Sequence, residues 1–387
     1  MPHQLYAFGS NGEAQLGIPA KDIVSTPNLV LTEPFQESIR SIHGGDNHTL
    51  ILTESGTVWG VGDNRKSQLG IPRAGQTRAG RFEELYNGIS FCAAACESTA
   101  YICNPGTEFN ETASPIIFTE GFSRWGELGR FDVTSTSGLT GFQHKSDTRI
   151  CDQFKHVGTL NTKLPHPVVD FTAGGWHYAA VLANGEVWGW GKARHEQLGA
   201  TVPQCTSITS PIRIEGIPFP AKKVVCGKEF TYIASASSTG EHVLLGKDKF
   251  NIKSHMPAHI RGWKDIGATW HAVFVLFDDG RLAAWGKENM WKLIPPNLPS
   301  IEKIAVGSDH VLAVTKEGGL ISWGWGKHGN CGDVSQLEPR PVNDMVSGFW
   351  NEIDIPGEIQ MIGAGFCTSF VLSSVDGNAA ALTGLVD

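Results

Sequence analysis

One short pattern, a strand closing on glycine followed by a turn that ends in Leu-Gly, returns along this chain at fixed internal spacing. That recurrence limits the available folds more than any other feature. It reads LYAFGSNGEAQLG at 5–17, VWGVGDNRKSQLG at 58–70, IFTEGFSRWGELG at 117–129 and VWGWGKARHEQLG at 187–199. The framing glycines are eight apart in each copy: Gly9 and Gly17, Gly62 and Gly70, Gly121 and Gly129, Gly191 and Gly199. ISWGWGKHGNCG keeps the eight from Gly324 to Gly332 but sets Cys331 in the leucine position. AAWGKENMWKL at 283–293 is a weaker sixth copy and VLLGKDKF at 243–250 a degenerate seventh.

A second pattern alternates with the first: an apolar strand entered through a small residue, with a histidine-like position three later. It is clear in GDNHTLIL from Gly45, GGWHYAAVL from Gly174 and GSDHVLAV from Gly307. It is weaker in CESTAYIC from Cys96, GKEFTYIA from Gly227, GATWHAVFV from Gly267 and GFCTSFVL from Gly365. Between the two lie the turn dipeptides Ser55-Gly56, Asn184-Gly185, Thr239-Gly240, Asp279-Gly280 and Glu317-Gly318. Glycine supplies the positive φ of a tight turn, so each pair of patterns reads as an antiparallel hairpin.

One such sheet cannot bury both its faces, but seven arranged around an axis can. The first aromatic strand, at 5–17, lacks a preceding inner strand, and the last inner strand, within 359–373, lacks a following aromatic one. If the two ends meet, each completes the other and no sheet edge stays open. The expected fold is therefore all-β: a seven-bladed β-propeller closed by pairing of its N- and C-terminal strands, a single domain over 1–387. The stretch 130–167 is polar and without period, and reads as a surface insertion.

Composition agrees with a packed β-fold: 41% of the 387 residues are hydrophobic, 18% are charged, and there are 46 glycines. A net charge of −8 gives no uniform positive field, which argues against direct nucleic-acid binding. The longest apolar runs, such as HAVFVLF at 271–277, fall far short of the roughly 20 residues that span a bilayer, so no membrane role is expected. The start, MPHQLYAFGS, carries no basic segment followed by an apolar one. The expected setting is therefore reducing, cytoplasmic with the nucleus as a second compartment, and the eight cysteines are expected to be free thiols.

Candidate chemistry is sparse. His48, His177 and His310 share one slot in different units and so lie around a ring rather than converge; Thr99, Phe230, Trp270 and Thr368 take that slot elsewhere. Their expected role is structural. Cys92, Cys96 and Cys103 have no second cluster to complete a zinc site and read as core thiols. No GxSxG, P-loop or HExxH occurs, and GVGDNR at 60–65 lacks the third glycine of a dinucleotide fingerprint. No catalytic residue, cofactor or metal is expected on this chain. Trp59, Trp188, Trp190, Trp285 and Trp323 lie in the aromatic strand and should pack between sheets. Trp176 and Trp270 instead lie at loops entering inner strands, beside His177 and His271, where tryptophan can anchor a partner. In the loop from Trp323, the residues Trp325, Lys327, His328 and Asn330 place aromatic, cationic and amide groups together, so this loop either stabilises itself or docks a partner.

FGSNGEAQLG, VGDNRKSQLG and WGKARHEQLG fit the glycine and Gln-Leu-Gly frame of the regulator of chromosome condensation repeat, and the chain resembles that family over nearly its whole length outside the insertions. Within it, YAFGSNGEAQLG and WGWGKHGNCG resemble the fungal alpha-tubulin suppressor, or killer-toxin-insensitivity, propellers. The resemblance implies a non-catalytic adaptor that pairs one-to-one with the small CSL-type zinc-finger protein of diphthamide synthesis. Through that partner it would support diphthamide formation on elongation factor 2 and Elongator-dependent modification of wobble uridines in transfer RNA. It also implies that the metal, iron or zinc in an electron carrier, belongs to the partner, and that Trp270 and the loop around His328 are contact points. The main alternative is a guanine nucleotide exchange factor for a small GTPase, for which a basic N-terminal tail is expected; here the first strand begins at Leu5. A scaffold propeller with another partner, or an enzyme with polar groups converging at a channel mouth, would be further alternatives.

Overall fold

Each copy of the paired pattern folds as one antiparallel sheet. The computed structural model describes residues 3–30, 37–70, 80–107, 109–128, 164–200 and 206–374. Seven sheets follow one another around an axis. The first blade is a composite whose outer strands, Ile23–Val30 and His3–Ser10, come from the N-terminal end and whose inner strands, Thr368–Ser374 and Glu358–Ala364, come from the C-terminal end. Blades two to seven then occupy 39–86, 91–121, 168–213, 223–246, 263–286 and 301–353 in chain order. The expected closure is present: His3 to Gly9 pair antiparallel with Ser374 to Thr368 without a break.

Blades three, five and six contain three strands among the described residues and the others four. Of the expected insertion, 130–163 lies outside the described residues, as do Cys151 and Cys205. The last four residues of that stretch already belong to the propeller, because Leu164 is buried among Val168, Phe171 and Tyr178.

Among the described residues the apolar core is divided into six clusters that lie between neighbouring blades rather than on the axis. The cluster joining blades three and four illustrates it, with Phe171, Tyr178 and Trp190 stacked at 5.1–5.9 Å between ring centroids. Of the aromatic-strand tryptophans, Trp190, Trp285 and Trp323 are buried and Trp59 and Trp188 half-buried. The indole N–H groups of Trp190 and Trp323 donate to the carbonyls of Glu127 and Leu293, each in the preceding blade's loop, at 3.0 and 2.8 Å.

The first glycine of the repeated frame is fixed by close approach. It has φ between 100° and 136° in all seven blades. At Gly62 a Cβ would stand 2.4 Å from the Asn47 carbonyl oxygen, the same oxygen that accepts the Asp63 N–H at 2.8 Å. Only a residue without Cβ permits this bulged crossing. Five residues on, the loop adopts a left-handed residue at Ala14, Ser67, Gly126, Glu196 and Gly329. The Gln-Leu-Gly frame closes the loop: Gln15, Gln68 and Gln197 accept backbone N–H groups two residues back through Oε1, at 2.8–3.0 Å. The leucine position drops into the core at Leu16, Leu69, Leu198 and Leu293, with Cys331 fully buried in the same place.

Candidate functional site

In an antiparallel sheet the turn from first to second strand and the turn from third to fourth lie at the same end. The histidine turns and the Leu-Gly loops of all blades therefore share one face, and every candidate docking residue lies on that face.

The spacing Gly-x-x-His has a direct structural cause. A Cβ at Gly45 would sit 2.2 Å from the His48 ring, so the glycine makes room for an imidazole that reaches into the next blade. His48, His177 and His310 bring Nε2 to hydroxyls of Thr99, Thr231 and Ser369 at 3.0, 2.9 and 3.1 Å. Those hydroxyls donate to the carbonyls of Gln68, Gln197 and Asn330 at 2.7–2.8 Å. Each hydroxyl proton is thus committed, and each histidine must donate through Nε2–H. Burial pushes the pKa of His48 and His310 down to about 4, and that of His177 to about 3, so all three are neutral. A Ser–His or Thr–His pair invites a nucleophile-and-base reading. Here the hydroxyl proton points away from the imidazole and both groups are sealed from solvent. The pairs clamp blade to blade, the structural role expected for these histidines.

The register corrects two slot assignments. The residue pairing with the bulged glycine is His48 opposite Gly62 in blade two, but Ser98 opposite Gly121 and Ala272 opposite Gly286 in blades three and six. Thr99 is instead the hydroxyl that receives His48. Trp270 lies two residues before its slot, in the turn itself, because that turn opens at Thr269 and not at Gly267, with Thr269 N–H donating to the Ala272 carbonyl.

That shift puts Trp270 in a ring around the mouth of the central channel. Asp46 N–H donates to the Cys96 carbonyl, Cys96 to Gly175, Lys228 to Trp270, Trp270 to Ser308 and Ser308 to Phe366, each from one blade to the next at 2.8–3.1 Å. Behind the ring the innermost strands enclose a cavity of about 210 Å³ lined mainly by glycine and alanine, with Trp270, Ser308 and Phe366 at its mouth.

Trp176 and Trp270 are brought together by Lys228, whose Nζ lies 5.6 Å from the first ring and 4.3 Å from the second. The series continues on both sides. Lys192 Nζ lies 4.5 Å from Trp176 and 5.5 Å from Trp125, and Trp270 meets Phe366 edge-on at 5.4 Å. Cations over ring faces are attracted by the ring quadrupole, so the half-buried indoles are held in place before any partner arrives. The Trp270 indole N–H is buried without a hydrogen-bond partner among the described residues. His271 packs edge-on against Phe250 at 5.0 Å; burial, then Lys287, Lys249 and Lys228, push its pKa down to about 4.

Trp325 and His328 touch edge-on at 5.1 Å and are half-buried, and Lys327 is exposed. Asn330 departs from the expected docking role. It is 1% exposed, its Nδ2 donates to the Trp325 carbonyl at 2.7 Å, and it takes the position held by Gln15, Gln68 and Gln197 elsewhere. Its work is inside the loop. Among the described residues no group of three or more His, Cys, Asp or Glu could hold a metal ion. Burial pushes the thiols of Cys92, Cys96 and Cys226 up to about 12. Lys192, Lys228, Phe250 and Phe366 are site residues that sequence reasoning missed, although the run Gly-Lys after three aromatic or apolar strands (Lys192, Lys247, Lys287) was readable.

Two models of the regulator of chromosome condensation (RCC1) repeat match the chain, one over 39–68, 168–197 and 301–330, the other over 3–52 and 184–234. An RCC1 repeat-containing protein of Schizosaccharomyces pombe is 29% identical over 95% of this chain and 98% of its own length. The secretion-regulating guanine nucleotide exchange factor of Bos taurus is 26% identical over 87% of this chain and 78% of its own. Among solved structures, Prp20p of Saccharomyces cerevisiae superposes with a TM-score of 0.72 at 18% identity, covering 100% of this chain and 96% of that one. Human WBSCR16 gives 0.72 at 16% identity, over 97% and 100%.

Proposed function

As a seven-bladed propeller of RCC1 repeats, the chain has the build of a binding platform, and we propose that it is a non-catalytic adaptor holding one protein partner on the face that carries Trp176 and Trp270. The observation that carries this reading is the preordered Trp176–Lys228–Trp270 series at the channel mouth. Half-buried tryptophans already fixed by their neighbours lose little freedom on binding, which is how an anchor gains affinity. For the identity of the partner the reading draws on the likeness of YAFGSNGEAQLG and WGWGKHGNCG to the alpha-tubulin suppressor propellers. The partner is then the small CSL-type zinc-finger protein, bound one-to-one, with the metal on the partner. The pair serves diphthamide synthesis and Elongator-dependent wobble-uridine modification, in the cytoplasm and the nucleus. An interface of standard size buries about 1,600 Å².

Calorimetric titration of the chain with the zinc-finger protein tests the reading. A one-to-one complex is expected, weakened about 30-fold, or ~2 kcal/mol, by Trp270→Ala, with the circular-dichroism spectrum unchanged. The second reading, a guanine nucleotide exchange factor, draws on the relative that bears that name. A small GTPase that binds while the zinc-finger protein does not, and whose bound nucleotide is released faster by the chain, overturns the adaptor reading in its favour.

A further inference from the structure

The slot after the bulged glycine holds Lys192, Lys247 and Lys287 in three consecutive blades, the fourth to sixth, where the remaining blades have Ser10, Asp63, Phe122 and Trp325. Lys228 and Lys249 extend the same sector. Lys249 and Lys287 stand over the Phe250 ring at 5.4 and 5.1 Å, Lys228 over Trp270 at 4.3 Å, and together with burial these three ammonium groups keep His271 neutral. Phe250 itself is held at φ 61° and Asn251 at φ 58°. A bulky aromatic avoids that region, at a cost of about 1 kcal/mol or more, so the turn is kept against its local preference.

Glu229 occupies two of these cations, Lys192 at 3.4 Å and Lys249 at 3.3 Å. Lys228, Lys247 and Lys287 form no direct salt bridge among the described residues, although the half-buried Asp309 carboxyl feels the charges of Lys287 and Lys228. Five lysines in adjacent blades outnumber the two carboxylates near them, Glu229 and Asp309, so in a chain whose net charge is −8 this sector carries a local field opposite to that of the molecule as a whole.

We propose that this sector of the loop face receives a carboxylate-rich segment of a protein partner. The inference deepens the adaptor reading and rests on it for the existence of a partner; what it adds is the partner's chemistry and the blades it meets. A nucleic-acid strand fits less well. Elsewhere on this face the turns carry Asp309 in blade seven, Asp46 in blade two and Glu97 in blade three, and the slot after the bulged glycine carries Asp63 in blade two. A uniformly charged backbone running past the three basic blades meets those carboxylates, whereas a short acidic segment ends within the sector.

The test uses a fluorescein-labelled glutamate-rich peptide of about twelve residues, its glutamine counterpart and an oligothymidylate of equal length, read by anisotropy at about 50 and 300 mM NaCl. The expected result is binding of the glutamate peptide alone, weaker at the higher salt. The double variant Lys247→Gln/Lys287→Gln should lose about tenfold or more in affinity, while Lys66→Gln, on blade two, loses none. Equal binding of the two peptides, indifference to the double variant, or tighter binding of the oligonucleotide overturns the inference. If the glutamate peptide behaves as expected but the zinc-finger protein fails to bind in calorimetry, the identity of the partner falls and the acidic-segment site stands.

Discussion

Removing the imidazole of His177 tests the blade-to-blade clamp at a fully enclosed position. The side chain is fully buried, and its Nε2 lies 2.9 Å from the Thr231 hydroxyl, which itself donates to the Gln197 carbonyl at 2.7 Å. His177→Ala loses one buried hydrogen bond, about 1 kcal/mol, and leaves a ring-sized void worth a further ~2–3 kcal/mol, for a total near 3–4 kcal/mol. Thr231→Val strands both the imidazole N–H and the carbonyl and costs about 2 kcal/mol. With alanine already at 177, only the carbonyl is stranded, so the same change costs about 1 kcal/mol less. Urea titration of the four proteins in a double-mutant cycle reads that difference as a coupling energy. Strictly additive losses, or a cost below about 1 kcal/mol for His177→Ala, refute the clamp.

Three further outcomes follow from the same geometry. His48 has a pKa of 6.5 when unfolded and about 4 when folded, so the unfolded chain takes the proton first: its contribution is whole above pH 6.5, falls by about 2 kcal/mol at pH 5, and continues to fall toward pH 4. Urea midpoints from pH 7 to 5 should therefore drop more for wild type than for His48→Phe, and parallel curves would contradict it. Gly191→Ala puts a Cβ 2.6 Å from the Trp176 carbonyl oxygen and 2.7 Å from the His177 Cα, and should cost more than about 3 kcal/mol; Gly106→Ala, with open space at φ 82°, should cost only about 1, as thermal unfolding will show. Asn330→Ala should lower stability by about 2 kcal/mol through the freed Trp325 carbonyl and leave the affinity of the folded variant for its partner unchanged, as paired urea and calorimetric titrations will show.

The ring and its closure were readable in the sequence because the residues that set them are local. A bulged glycine, a left-handed loop residue and a capping glutamine impose fixed spacing wherever the unit occurs, and two unpaired end strands can satisfy their backbone groups only on each other. Which face carries the candidate residues was not legible, and emerged only from the strand directions of the folded blades. What the sequence concealed was register within weak copies. Thr269 and Ala95 open their turns without the glycine that marks the others, so Trp270 and Thr99 looked like slot residues although they lie two before and one after it. Asn330 looked like a surface amide because its unit lacks the Gln-Leu pair that reveals the buried position elsewhere. The contact of Lys228 with Trp176 and Trp270 joins three blades, a proximity that no spacing along the chain encodes.

The most direct test of the adaptor account is affinity capture of the tagged chain from cells, wild type beside Trp270→Ala, with mass spectrometry of the proteins that co-elute. The account predicts the small CSL-type zinc-finger protein at equal stoichiometry with the wild type and its loss from the variant. Recovery of a small GTPase without any CSL protein, or equal recovery of the CSL protein by both forms, would contradict it.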